Sequence, residues 1–222
     1  MTPLPSDLEA IFFDLDGTLI DTDDHAAEQL AAWLRPLVGR RADRLGRRLT
    51  MWAETPINNT LTLLDQMGLD APLMKVAERL RGPRPPSPYR LVPGVEPMIA
   101  ALQGRYRLGL VTTRNRRQID AFLAQFPPIA AAIEVTCGAQ DTRRLKPHPS
   151  PVRLAAERLG VPVARCLMVG DTTVDVTAAR RAGAWSAAVL CGFGTREELE
   201  QAGAHIILES TADLARFLGA AG

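Results

Sequence analysis

Residues 11–22 read IFFDLDGTLIDT. An apolar Ile-Phe-Phe run fits a strand covered on both faces, and Asp14 and Asp16 follow at its end, two positions apart. Two close carboxylates repel, and one of them holds its proton more tightly unless a cation compensates. Gly17 then lets the backbone turn sharply. A calcium loop also opens Asp-x-Asp, but it needs Gly at its sixth position and Glu at its twelfth. Counted from Asp14, glycine comes fourth and His25 stands twelfth, so that reading fails. A surface turn with helix-capping acids remains the plain alternative.

Further apolar runs read as buried strands at 10–14, 108–112, 133–136, 166–169, 186–190 and 205–208. Helical patterns lie between most of them. Gln118-Ile119, Phe122-Leu123 and Phe126 recur at helical spacing, as do Val152, Leu154-Ala155-Ala156 and Leu159, with Gly160 as C-cap. Alternating strands and helices predict an α/β fold with a doubly wound, mostly parallel sheet. The stretch after the first strand breaks this rhythm: about 70 residues carry only helical signals and end in the Pro-rich RGPRPPSP, residues 81–88. The expected organisation is a catalytic core of 1–20 and 92–222 with an all-helical cap inserted over 21–91.

With 222 residues, 46% hydrophobic and 23% charged, the chain has the make-up of a globular protein with a sizeable core. A net charge of +1 gives no field favouring nucleic acid or an anionic membrane. No apolar run reaches the length of a bilayer span, and the first residues lack a basic-then-apolar leader, so a cytoplasmic location is expected. Cys137, Cys166 and Cys191 form no CxxC pair, which argues against a disulfide framework or a zinc site. Cys166 and Cys191 lie in apolar stretches and are expected to be buried thiols. His25, His148 and His205 are too scattered for a metal site. His25 falls near the core–cap hinge, His148 reads as a loop residue beside Lys146, and His205 reads as structural.

Three more strand ends carry chemistry that matches the Asp14–Asp16 pair. LGLVTTRN ends a strand at Thr112 and Thr113, small donors suited to anionic oxygens, with Arg114 and Asn115 at the site entrance. RRLKPHPSP sets Lys146 in a proline-fixed loop ahead of a helix, where an ammonium can meet phosphate. LMVGDTTVD ends a strand at Asp171, and Asp175 follows one helical turn later. Each has a dull explanation alone; Asp171 could be an ordinary N-cap. Together they suit a hard cation, Mg²⁺, beside a phosphoryl group. The cation would explain how the carboxylate pair is tolerated.

The set DLDGT, VTT, LKPHP and GDTTVD resembles the four motifs of the haloacid dehalogenase superfamily of phosphohydrolases. The helical insertion after the first motif stands where the phosphoglycolate phosphatase-like and β-phosphoglucomutase-like members carry a cap. That resemblance implies a role for each residue. Asp14 would be the nucleophile that forms an aspartyl-phosphate, and Asp16 the general acid and base. Thr112 and Lys146 would hold the phosphoryl oxygens, with Thr113, Arg114 and Asn115 near the substrate. Mg²⁺ would take the Asp14 carboxylate, the Asp16 backbone carbonyl and Asp171, with Asp175 further out. Thr18 would brace the Asp16 loop at the substrate side. The dehalogenase branch lacks an acid at the Asp16 position, so carbon–halogen cleavage is not expected.

The implied function is a Mg²⁺-dependent phosphatase acting on a small phosphorylated metabolite, as monomer or homodimer. A hexose-phosphate mutase of the same superfamily and a non-catalytic binding module are the rival readings. In such enzymes the cap contacts the leaving group and sets specificity. Arg35, Arg40, Arg41, Arg44, Arg47, Arg48 and Asn58-Asn59 are its candidate contacts, though most such arginines cover solvated helix faces.

Overall fold

Among the described residues the sequence alternation becomes six parallel strands. The computed structural model describes residues 4–21 and 88–220. The helical cap, its arginines, Asn58-Asn59 and His25 therefore lie outside the described residues. The strands are β1 (Ala10–Phe13), β2 (Arg107–Val111), β3 (Ile133–Cys137), β4 (Cys166–Gly170), β5 (Trp185–Val189) and β6 (Ile206–Leu208). They lie in the order β3-β2-β1-β4-β5-β6, and every pairing is parallel. That is the doubly wound arrangement, in which the winding reverses between β1 and β4 and leaves a crevice beyond their carboxyl ends.

Seven helices are described between them: α1 (Val95–Leu102), α2 (Arg116–Gln125), α3 (Pro127–Ala132), α4 (Ser150–Leu159), α5 (Thr173–Ala182), α6 (Arg196–Ala202) and α7 (Leu214–Phe217). They cover both faces of the sheet. Ile11 and Phe13 of β1 pack into one core with residues of α1, α2, α3 and α7, while Ala10 and Phe12 face α4 and α5 on the other side. This two-sided burial is why the strands read as unbroken apolar runs. Among the described residues no helix is long and apolar enough to cross a membrane.

Local chemistry sets the helix ends that matter for the site. Asn115 caps α2 by a capping box, its side chain accepting from the Gln118 N–H and its own N–H donating to Gln118 Oε1. Gly160 ends α4 in the left-handed conformation, as its position predicted. Phe126 belongs to neither helix: it sits at the junction where Pro127-Pro128 stop α2 and start α3.

The two described segments meet where the first ends and the second begins. The Asp21 N–H donates to the Arg90 carbonyl at 2.9 Å, the Val92 N–H to the Leu19 carbonyl at 3.0 Å, and Ile20 and Leu91 form an antiparallel bridge.

The thiols depart partly from expectation. Cys137 and Cys166 are buried, but Cys191 is only half-buried, because it lies past the end of β5 in the loop over Gly17. Burial pushes the Cys137 and Cys166 thiols up to about 12, so neither acts as a nucleophile. His205 precedes β6. Its Nδ1 lies 3.1 Å from the Ser186 N–H and 2.8 Å from Ser186 Oγ, while its ring packs on Trp185. His148 serves the start of α4, its Nδ1 lying 2.7 Å from Ser150 Oγ.

Candidate active site

Parallel register puts the chemistry-bearing residues side by side. Phe13 pairs with Leu110 and Val169, so the three strands reach the same edge of the sheet within a residue of one another. Asp14 follows β1, Thr112 follows β2 and Asp171 follows β4. All three are buried, as are Lys146 and Asp175.

Lys146 organises the floor. Its ammonium lies 2.9 Å from Asp14 Oδ1 and 2.6 Å from Asp175 Oδ1, and it donates to the Val111 carbonyl at 2.8 Å. A lysine so buried keeps its charge because two carboxylates face it. Burial alone would lower its pKa, yet Asp14 and Asp175 raise it above the ordinary value. Asp175 is fully engaged: its second oxygen accepts from the Thr172 hydroxyl at 2.7 Å and the Thr172 N–H at 3.2 Å.

Asp14 is less well satisfied. Its Oδ1 meets the ammonium as an ion pair, but it is a buried oxygen without a directed hydrogen bond. Desolvation is the main force raising the Asp14 pKa from 3.8 to about 6, with Lys146 opposing and Asp175 and Asp16 adding to the rise. Asp171 is also pushed well above the usual carboxylate range, first by burial and then by Asp175 and Asp14. Its oxygens accept from Thr18 Oγ1 at 3.3 Å and the Phe193 N–H at 2.9 Å.

Oxygens of Asp14, Asp171 and Asp175 lie within 4.8 Å of one another. An all-carboxylate donor set, with one under-bonded oxygen and two acids held above their normal pKa, fits a hard divalent cation.

Close backbone approach frames Asp171. A Cβ on Gly17 or on Gly192 would fall 2.2 Å from Asp171 Oδ2, and one on Gly194 would fall 2.2 Å from the Asp171 carbonyl. Gly17 also takes φ +67. The segment CGFG at 191–194 and the donor at Phe193 were not singled out from sequence. Two glycines flanking one residue just past a strand are the signal that marks them.

The entrance residues fall into different places. Arg114 grips Asp16 with two donors, Nε to Oδ2 at 2.7 Å and Nη2 to Oδ1 at 2.5 Å. It lies over the Tyr89 ring, 5.2 Å from its centre, a partner that sequence reasoning missed. Asn115 spends its side chain on the α2 cap, and Thr113 is half-buried. Thr18 is fully buried, and its hydroxyl turns toward Asp171.

The haloacid dehalogenase-like hydrolase family model matches residues 8–183, a span that contains Asp14, Asp16, Thr112, Lys146, Asp171 and Asp175. This chain is a haloacid dehalogenase-like hydrolase. Over 96% of its length the hydrolase is 30% identical to the phosphoglycolate phosphatase of Escherichia coli (strain K12), covering 93% of that protein. It is therefore a phosphatase-type hydrolase, phosphoglycolate phosphatase-like in sequence. Its fold is shared with a HAD family hydrolase from Deinococcus radiodurans R1, solved with bound phosphate and sodium. That match has TM-score 0.70 at 19% identity, covering 97% of each chain. A β-phosphoglucomutase-like protein from Thermotoga maritima is similar at TM-score 0.63 and 17% identity, over 96% of this chain and all of that one.

Proposed function

We propose that the hydrolase cleaves a small phosphomonoester by phosphoryl transfer to Asp14, with the divalent cation Mg²⁺ as cofactor. The observation that carries this reading is the Asp14 carboxylate at the β1 end, with Lys146 beside it and Asp171 across the crevice.

Asp14 stands at the β1 end with Oδ1 beside the Lys146 ammonium, which offsets the charge of a carboxylate placed to attack phosphorus. Lys146 and the Thr112 hydroxyl line the positions where phosphoryl charge develops, and both are held in place before substrate arrives. Asp14, Asp171 and the Asp16 backbone carbonyl would hold the cation, and Asp175 would fix Lys146 and steady the site from behind. When bound, the cation supplies charge neutralisation between nucleophile and phosphate. Asp16 sits at the less buried rim, where it can pass a proton to the leaving alcohol and then take one from water. The cap over 21–91, with its arginines, belongs to this proposal as the part that closes over substrate.

Phosphate release should be measured on a panel headed by phosphoglycolate, the compound named for the relative, with hexose and pentose phosphates, nucleotides and an aryl phosphate. Wild type with Mg²⁺ should release phosphate; Asp14→Asn should lose at least about 10³-fold, as expected for removing a nucleophile. Chelator should abolish the reaction, and Ca²⁺ should not restore it. Phosphate release that survives Asp14→Asn would overturn the mechanism. Isomerisation of a sugar phosphate without net release would replace hydrolysis by mutase chemistry.

A further inference from the structure

The pairing of Arg114 with Asp16 joins two loops of the site. Arg114 is tied to the phosphoryl-holding loop by its own backbone, whose N–H donates to Thr112 Oγ1 at 3.2 Å. From there its guanidinium reaches 98 residues back along the chain to Asp16 and takes both carboxylate oxygens. Nη1 lies 3.4 Å from the Tyr89 hydroxyl, and the ring lies beneath the cation. The side chains of Arg114 and Asp16 are 19% and 30% exposed, between the buried floor and solvent. The bridge is thus at the rim of the site.

Two physical facts bear on it. A planar guanidinium fork recognises carboxylates and phosphates by paired donors, so Asp16 occupies the position that a ligand's anionic group would fill. A carboxylate with both oxygens gripped is also not free to meet a leaving oxygen. We infer that Arg114 is a specificity latch: it holds Asp16 until a second anionic group on the substrate's alcohol portion takes the fork and frees Asp16. This rests on the assignment of Asp16 to proton transfer above. The substrate class is a phosphomonoester whose alcohol carries a carboxylate or a second phosphate. Tyr89 makes the exchange inexpensive, since Arg114 can turn on the ring and keep its cation–π contact while changing partners. A neutral alcohol offers no such exchange. It leaves Asp16 gripped or the guanidinium fork without an anion.

The test has a binding arm independent of turnover. Non-hydrolysable phosphonates are titrated by calorimetry with Mg²⁺ present: 3-phosphonopropionate, its neutral counterpart 3-hydroxypropylphosphonate, and propane-1,3-bisphosphonate. Wild type should bind at least one dianionic-plus-anionic compound about tenfold or more tightly than the neutral one, the scale of one charge-assisted fork. The better of the carboxylate and bisphosphonate identifies which second anion is read. Arg114→Gln should bring the three dissociation constants together, and Arg114→Lys should keep part of the preference. Equal binding by wild type, or a preference that survives Arg114→Gln, overturns the latch.

The kinetic arm compares phosphoglycolate with 2-hydroxyethyl phosphate. Arg114→Gln should lower kcat/KM for the first far more than for the second. An equal fall in kcat on both would make Arg114 only a prop for Asp16 and also overturns the latch. If neither ester yields phosphate while the phosphonate preference holds, the hydrolytic reading fails and the anion recognition stands.

Discussion

At the scale of single residues, the site is assembled against its own stability. Asp14 ionises at 3.8 when unfolded and at about 6 when folded, so the folded protein holds the extra proton between those values. A raised carboxylate pKa means stability is lost as pH rises from about 4 to about 6 and stays lost above. One pKa unit is about 1.4 kcal/mol, so Asp14 costs the metal-free protein on the order of 1–3 kcal/mol at pH 7.5. Burial of Asp171 acts with the same sign. His205 acts oppositely, because burial lowers its pKa and acid then favours the unfolded chain. The clean observable is therefore a difference. In chelator, Asp14→Asn should melt higher than wild type at pH 7.5, and the gap should close toward pH 4. A lower melting temperature for the variant at pH 7.5 would contradict this account. Mg²⁺ should raise the melting temperature of wild type and do much less for the variant. The motif residues at the strand ends were legible in the sequence because each follows an apolar run. The Arg114–Asp16 bridge, Tyr89 and the Phe193 N–H were not, because their partners are set by sheet register and loop path rather than by neighbours in the chain.

At the scale of elements, the loops between strand and helix are shaped by close approach. Gly17, in the β1 turn, and Gly192, beyond β5, both pack against Asp171 at distances no Cβ tolerates. Gly192→Ala should displace the Asp171 carboxylate, weakening Mg²⁺ at least about tenfold and costing about 1–3 kcal/mol of stability, the scale of overpacking. Gly17→Ala should be worse, since its φ of +67 adds left-handed strain of about 1–2 kcal/mol. Calorimetric Mg²⁺ titration and thermal melts of both variants test this; wild-type affinity in Gly192→Ala would remove the packing argument. The strands themselves were readable because both sheet faces are covered. Some limits shifted by a residue: Asp14, Thr112 and Leu190 fall just past β1, β2 and β5, although the N–H of each still donates to a carbonyl of the neighbouring strand. Helix α3 was hidden inside one continuous helical pattern, since Phe126 fits the spacing of α2 while the prolines behind it begin a new helix.

At the scale of the whole molecule, the doubly wound sheet predicted from alternation is the one observed, while the cap lies outside the described residues. The core's own geometry makes a test of the two-part organisation practical. Because Ile20 bridges Leu91 and Asp21 bonds Arg90, the ends of the insertion already touch. Joining residue 21 to residue 88 through a few Gly/Ser residues should leave a core that melts cooperatively and gains stability from Mg²⁺. Loss of a cooperative transition would show that the core needs the insertion to fold. The strand order has a further consequence, in time rather than in space. Of the described strands β1 is made first, yet it belongs at the centre of the sheet between β2 and β4. Until residues 166–170 emerge, one whole side of an Ile-Phe-Phe ribbon stays open, apolar on both faces and ready to pair with any passing edge. That hazard lasts from the making of β1 to the making of β4, and it ends only when the central strand has both of its neighbours.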